Sequence, residues 1–121
     1  MPSVPSKNPV QRLEDIVENI DSIREFTAKM NRTTFVADQR TLYSVIRALE
    51  IISEATKRLP VELKSQHSEI DWLAVAAAGN VYRHEYEVVD GNLLWNTVQT
   101  RLGTLRAAQR ELERLREDNL A

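Results

Sequence analysis

Leu42-Tyr43-Ser44-Val45-Ile46-Arg47-Ala48-Leu49-Glu50-Ile51-Ile52-Ser53-Glu54-Ala55-Thr56-Lys57-Arg58-Leu59-Pro60 is the stretch on which the fold turns. Leu42, Val45, Ile46, Leu49, Ile52, Ala55 and Leu59 recur at intervals of three and four, which lines one face of an α-helix. Proline lacks an N–H and its ring clashes with the preceding turn, so Pro60 fits a helix stop. The start of this helix falls between Phe35 and Arg40. Upstream, Val10, Leu13, Val17, Ile20, Ile23 and Met30, with Phe26 nearby, keep the same period and predict a first helix over 9–30. Asn8 before Pro9 reads as an N-cap followed by proline in the first helical position. Asn31-Arg32-Thr33-Thr34 reads as the connection to the helix quoted above.

Downstream, Val61 to Ser65 forms a short helical turn, and the alanine-rich run from Ile70 to Val81 reads as a buried helix. Asp90 or Asn92 caps a last long helix with Leu94, Val98, Leu102, Leu105, Leu112 and Leu115 on one stripe. Gly103 inside it marks a close helix approach, and Arg110 to Asp118 alternates in sign as a solvated helix end. Trp72 and Trp95, each near a helix start, read as core or rim packing. Four substantial helices with short links predict an all-α fold, an antiparallel four- to five-helix bundle. Residues 1–8, with Pro2 and Pro5, read as a flexible tail, and 9–121 as one helical domain.

Composition narrows the function classes. The 121 residues hold three glycines and four prolines, are 42% hydrophobic and 28% charged, and contain no cysteine. That favours helices, and excludes a disulfide framework or a thiolate metal site. Met1 to Asn8 lack the apolar core of a signal peptide, and no apolar run approaches a membrane span, so a cytoplasmic chain without a membrane partner is expected. A net charge of −2 gives no bulk attraction for nucleic acid, although a local basic patch remains compatible with it.

Chemistry concentrates in Gly79-Asn80-Val81-Tyr82-Arg83-His84-Glu85-Tyr86, a polar segment after five apolar residues. In a continuing helix, Asn80 and His84 share a face, as do Gly79 with Arg83 and Tyr82 with Tyr86. An imidazole there suits proton transfer near neutral pH, and a neighbouring guanidinium suits a phosphate. The structural alternative is a histidine hydrogen-bonded within a helix junction. Arg47, Glu50 and Glu54 form a second polar stripe. It reads either as a charged wall of a cleft near His84 or as a surface ion-pair stripe. His67 falls in a loop without ligand spacing around it, and no metal motif, Gly-rich phosphate loop, Ser–His–Asp order or helix-turn-helix stands out.

Three stretches together resemble the HepT-like branch of the HEPN superfamily. They are Arg12-Leu13-Glu14-Asp15-Ile16 with Ile20 and Ile23-Arg24-Glu25-Phe26-Thr27; Ala48-Leu49-Glu50-Ile51-Ile52-Ser53-Glu54-Ala55 with Lys57-Arg58-Leu59-Pro60; and Asn80 to Asp90 with Leu94-Trp95-Asn96-Thr97-Val98. They follow the family's order over about residues 10 to 105. The resemblance implies a HEPN-like helical bundle that forms a homodimer around a shared cleft. It implies the toxin of a type VII-like toxin–antitoxin system, a metal-independent RNA endonuclease with no cofactor. It also implies a cognate minimal nucleotidyltransferase antitoxin that adds AMP to a motif tyrosine. The family motif is Arg-Asn-x-x-x-His-x-Tyr. Asn80, His84 and Tyr86 fall on it, whereas Gly79 occupies the arginine position, and Ser53 stands where the family often has glycine. Carried over, His84 transfers protons, Asn80 completes the catalytic motif, Tyr86 receives AMP, and Arg83 is the candidate replacement for the arginine. The Gly79 departure keeps a second reading open: an inactive HEPN module that binds RNA, nucleotide or a nucleotidyltransferase. A plain interaction protein is the third.

Overall fold

The apolar face of the quoted stretch organises the molecule. The computed structural model describes residues 9–83, 90–102 and 106–120, with side chains described for 9–77, 90–100, 102 and 110–118. The helices are α1 (Pro9–Thr27), α2 (Arg32–Ala37), α3 (Gln39–Lys57), α4 (Val61–Ser65), α5 (Trp72–Arg83), α6 (Gly91–Arg101) and α7 (Arg106–Leu120). No strand occurs among the described residues, so the all-α expectation stands.

α3 lies between α1 and α5, α7 packs on α1, and α2 packs on α6. Val45, Leu49 and Ile52 of α3 and Leu13, Ile16, Ile20 and Ile23 of α1 are buried, with Phe35, Leu59, Val75, Leu94, Val98 and Leu112 closing the same core. Removing such side chains from water, at roughly 1.5–3 kcal/mol each, is what holds amphipathic helices together. Trp72 and Trp95 pack against this core, and the Trp95 ring lies 5.1 Å from that of Phe35, which bears out their reading as packing residues.

Local chemistry moves several boundaries from the expected places. α1 ends at Thr27, three residues early, where the Met30 N–H turns back to the Thr27 carbonyl. The expected connection at Asn31–Thr34 opens a helix instead. Asn31 Oδ1 accepts from the Thr34 N–H and Thr34 Oγ1 accepts from the Asn31 N–H, each at 2.9 Å, a reciprocal cap that satisfies two otherwise orphaned donors. Asp38 then caps α3 through the Thr41 N–H, and the α3 helix stops at Lys57, just before Pro60. α5 starts two residues later than the sequence indicates, with Asp71 accepting from the Ala74 N–H. The expected last helix is present as α6 and α7; Gly103 and Leu105 lie outside the described residues, as does the 1–8 tail.

Candidate functional site

Ser53 is fully buried, and its hydroxyl donates to the Ala76 carbonyl, fixing α5 against α3. Trp72 Nε1 donates to the carbonyls of Lys64 in α4 and His67 just after it, so α5 begins near the end of α3 and runs back along it. With equal rise per residue in two antiparallel helices, Asn80 stands level with Leu49, beside Glu50. Arg83, the last residue of α5, stands level with Ile46, beside Arg47. The Ser53–Ala76 contact therefore sets the start of the polar motif at the height of Ile46 and Leu49 on α3. His84 and Tyr86 lie outside the described residues, and the side chains of Gly79 to Arg83 are likewise not described.

The chain is described again from Asp90, at the start of α6. Asp90 Oδ1 accepts from the Leu93 N–H at 3.1 Å and caps the helix. Arg32 on α2 reaches across with both terminal nitrogens, to Asn92 Oδ1 at 3.2 Å and Asn96 Oδ1 at 2.7 Å. Gly91 lies so close to Val36 that an added Cβ would meet its methyls at 3.2 and 3.3 Å. Glycine is thus the residue that allows α2 and α6 to approach here.

Arg47, Glu50 and Glu54 share one stripe of α3, as their spacing requires. Arg47 Nη1 lies 3.3 Å from Glu50, and Arg58 Nε lies 3.2 Å from Glu54. All three line a cavity of about 220 Å³ between α1 and α3, together with Ile51 and with Arg12 and Asp15 of α1. Arg12 and Asp15 were not singled out from sequence. Their signal was their spacing with Asn19, which puts a polar edge beside the apolar face of α1. The Arg12 Nε is buried and has no hydrogen-bond partner among the described residues, while its Nη1 lies 3.7 Å from Asp15.

His67 proves to be a structural contact. Its Nε2 lies 2.9 Å from Glu111 Oε2, and its Nδ1 lies 3.5 Å from Glu69. The hydrogen bond from Arg114, aided by His67 and opposed by burial, holds the Glu111 carboxyl below the usual carboxylate range. This cluster ties the chain after α4 to α7, away from α3. Among the described residues no group of His, Cys, Asp and Glu could hold a metal ion, and no helix is long and apolar enough to cross a membrane.

The sequence pattern of the family described as Ribonuclease HepT-like matches residues 16–113. The chain belongs to this family. A probable ribonuclease HepT of Thermococcus cleftensis is 41% identical over 105 residues, covering 87% of this chain and 93% of that protein. A putative RNase of Methanocaldococcus jannaschii is 33% identical over 95 residues, 78% of each chain. A putative RNase of Caldanaerobacter subterraneus is 30% identical over 106 residues, 88% of this chain and 95% of its own. No solved structure matches. Within the described residues, the stretches through which the sequence resembles the family fall on α1, on α3 and the turn after it, and on the end of α5 and α6 with its cap Asp90.

Proposed function

We propose that this HepT-like chain is a metal-independent RNA endonuclease, the toxin of a type VII-like toxin–antitoxin pair. The observation that carries the reading is the match to the HepT-like family over residues 16–113, with Asn80, His84 and Tyr86 on the family motif. In the proposed reaction the RNA 2′-oxygen attacks the adjacent phosphorus, and the bond to the 5′-oxygen breaks. A 2′,3′-cyclic phosphate and a free 5′-hydroxyl result. His84 moves the protons, Asn80 orients the reacting group, and Arg83 stabilises charge on the phosphorane in place of the arginine that Gly79 replaces. Guanidinium suits that task because it stays charged and binds two phosphate oxygens. Arg47, Glu50 and Glu54 wall the cleft.

The test is cleavage of RNA by the purified chain in excess chelator. Positioned proton transfer contributes roughly 10²–10⁴-fold in rate, so His84→Ala is expected to lose that factor and keep its circular dichroism spectrum. Undiminished cleavage by His84→Ala removes the assignment. Arg83→Ala is expected to weaken both RNA binding and turnover.

Regulation in this reading is AMP addition to Tyr86 by a partner nucleotidyltransferase. A bulky anion two residues from His84 competes with RNA phosphate by charge and volume. Co-expression with a cognate nucleotidyltransferase is expected to add AMP mass to the Tyr86 peptide. Neutralisation of Tyr86→Phe by the same partner removes this role. One observation favours a second reading, an inactive module that binds RNA, nucleotide or the nucleotidyltransferase: Gly79 stands at the arginine position. An inert wild type with cleavage gained in Gly79→Arg decides for that reading.

A further inference from the structure

Phe26 and Tyr43 are aromatic residues that neither the core nor the motif uses. Phe35, Trp72 and Trp95 pack in or on the core, and Tyr82 and Tyr86 belong to the motif segment. Phe26 and Tyr43 instead face water, 42% and 56% exposed. They stand on different helices, yet both line one furrow of about 430 Å³ between α1 and α3. Asn19 and Ser22 of α1 and Arg47 and Ile51 of α3 continue its walls. Two exposed rings at one opening, framed by polar groups, mark a surface made for contact. The volume falls within the roughly 300–1,000 Å³ of small-molecule sites, so the occupant is a flat group inserted into it.

We propose that this furrow is a nucleobase subsite, which takes one unpaired base of a single-stranded RNA against the Phe26 and Tyr43 rings. The inference rests on the RNA reading of the proposed function and adds to it where the strand is gripped. A base has two π-faces to stack and polar edges to satisfy, and the furrow offers groups for both. Gln39 Nε2 donates to the Tyr43 Oη at 3.0 Å, which steadies the ring and leaves its O–H to donate. Asn19 Nδ2 is spent on the Asp15 carbonyl at 2.7 Å, so Oδ1 is what Asn19 offers to a base amino group. The charged residue among those lining the furrow is a cation, Arg47, which suits a phosphate and not an acidic peptide's opposite. Its side chain is 72% exposed and its pair with Glu50 spans 3.3 Å, an exposed contact weak enough for the guanidinium to turn to a phosphate oxygen. Arg40, also exposed, precedes Arg47 by seven residues on α3, ~10 Å along the axis, so the two cations stand on either side of Tyr43. A strand whose base enters at Tyr43 thus has a guanidinium for the phosphate on each side. Arg47 and Ile51 also line the charged hollow that holds Glu50 and Glu54, so the furrow opens onto the wall of the proposed cleft. A base inside a duplex is stacked and paired and cannot enter, so the subsite selects unpaired RNA.

The test reads binding and needs no cleavage. The probe is a labelled single strand of about eight nucleotides, a length within the usual site sizes, 2′-O-methylated at every sugar so that no 2′-hydroxyl can attack. Its affinity for the full chain is measured by fluorescence anisotropy at fixed salt. Loss of one stacking ring is expected to weaken binding at least about fivefold in Phe26→Ala and in Tyr43→Ala, each checked for folding by circular dichroism. Tyr43→Phe keeps the ring and is expected to stay within about threefold of wild type. Leu73→Ala removes an 86% exposed side chain on α5 and is expected to change nothing. Arg47→Gln is expected to lower the slope of log affinity against log salt by about one. A duplex of the same sequence is expected to bind without dependence on either ring. A wild type with no affinity for the strand, ring variants that bind as wild type, or a Leu73→Ala loss equal to theirs each overturns the proposal. So does a protein-docking outcome, in which Phe26→Ala and Tyr43→Ala lower the mass in sedimentation equilibrium and leave RNA affinity untouched. Ring-dependent binding by a chain that cleaves no unmodified RNA removes the ribonuclease reading alone. Cleavage by a chain whose RNA affinity ignores both rings removes this inference alone.

Discussion

Thr56 Oγ1 is shut inside the core side of α3, where the residue is 1% exposed and the hydroxyl has no hydrogen-bond partner among the described residues. A buried hydroxyl without a partner forfeits its hydration, at a cost of about 1–3 kcal/mol. Valine has nearly the same shape, so Thr56→Val is expected to stabilise the fold by ~1 kcal/mol, read as a higher urea midpoint at unchanged slope. Ser53, one turn back, behaves in the opposite way. Its hydroxyl satisfies the Ala76 carbonyl, and Ser53→Ala is expected to cost about 1 kcal/mol. From the sequence, Ser53 reads as standing where the family often has glycine, and Thr56 carries no signal of its own. Which one has a partner depends on α5.

At the scale of single elements, α2 and α7 are held by contacts of different range. α2 owes its first turn to Asn31 and Thr34, and Asn31→Ala is expected to cost about 1 kcal/mol in urea unfolding. That cap was present in the sequence as Asn-x-x-Thr, but its polar residues read equally well as a loop. α7 depends on a contact 44 residues apart in sequence, His67 with Glu111. Glu111 is 4% exposed and its carboxyl is held below the ordinary range, chiefly by Arg114 and then by His67. A depressed folded value contributes stability that is fully present above the unfolded value, about pH 4.3, and is lost as pH falls through the folded one. Urea midpoints of wild type are therefore expected to decline below about pH 4.5 more steeply than those of Glu111→Gln. Parallel curves for the two proteins would show that this carboxylate does not couple α7 to pH.

For the whole molecule, we propose that the cleft is shared between two copies, so specific activity is expected to depend on protein concentration. RNA cleavage per chain is expected to fall on dilution through the dimer dissociation constant measured by sedimentation. Activity per chain that stays constant as dimer gives way to monomer rules out a shared site.

The sequence by itself determined the helical class, four of the boundaries that matter and the family. Period-three-and-four apolar residues, Pro60, Asp90 and the Asn80-x-x-x-His84-x-Tyr86 spacing are all local, and local chemistry needs no neighbour to be read. It left the Arg47, Glu50 and Glu54 stripe undecided between surface ion pairs and cleft wall, because a helix face does not name what stands beside it. The tertiary structure added what stands there. Ser53 ties α5 to α3 through the Ala76 carbonyl, and α1 brings Arg12 and Asp15 to the hollow lined by Arg47, Glu50 and Glu54. It also turned His67 from an idle loop residue into the tether of α7. Each of these is a meeting of residues far apart in the chain, fixed by how the helices slide and pack on one another, and sequence spacing carries no term for that.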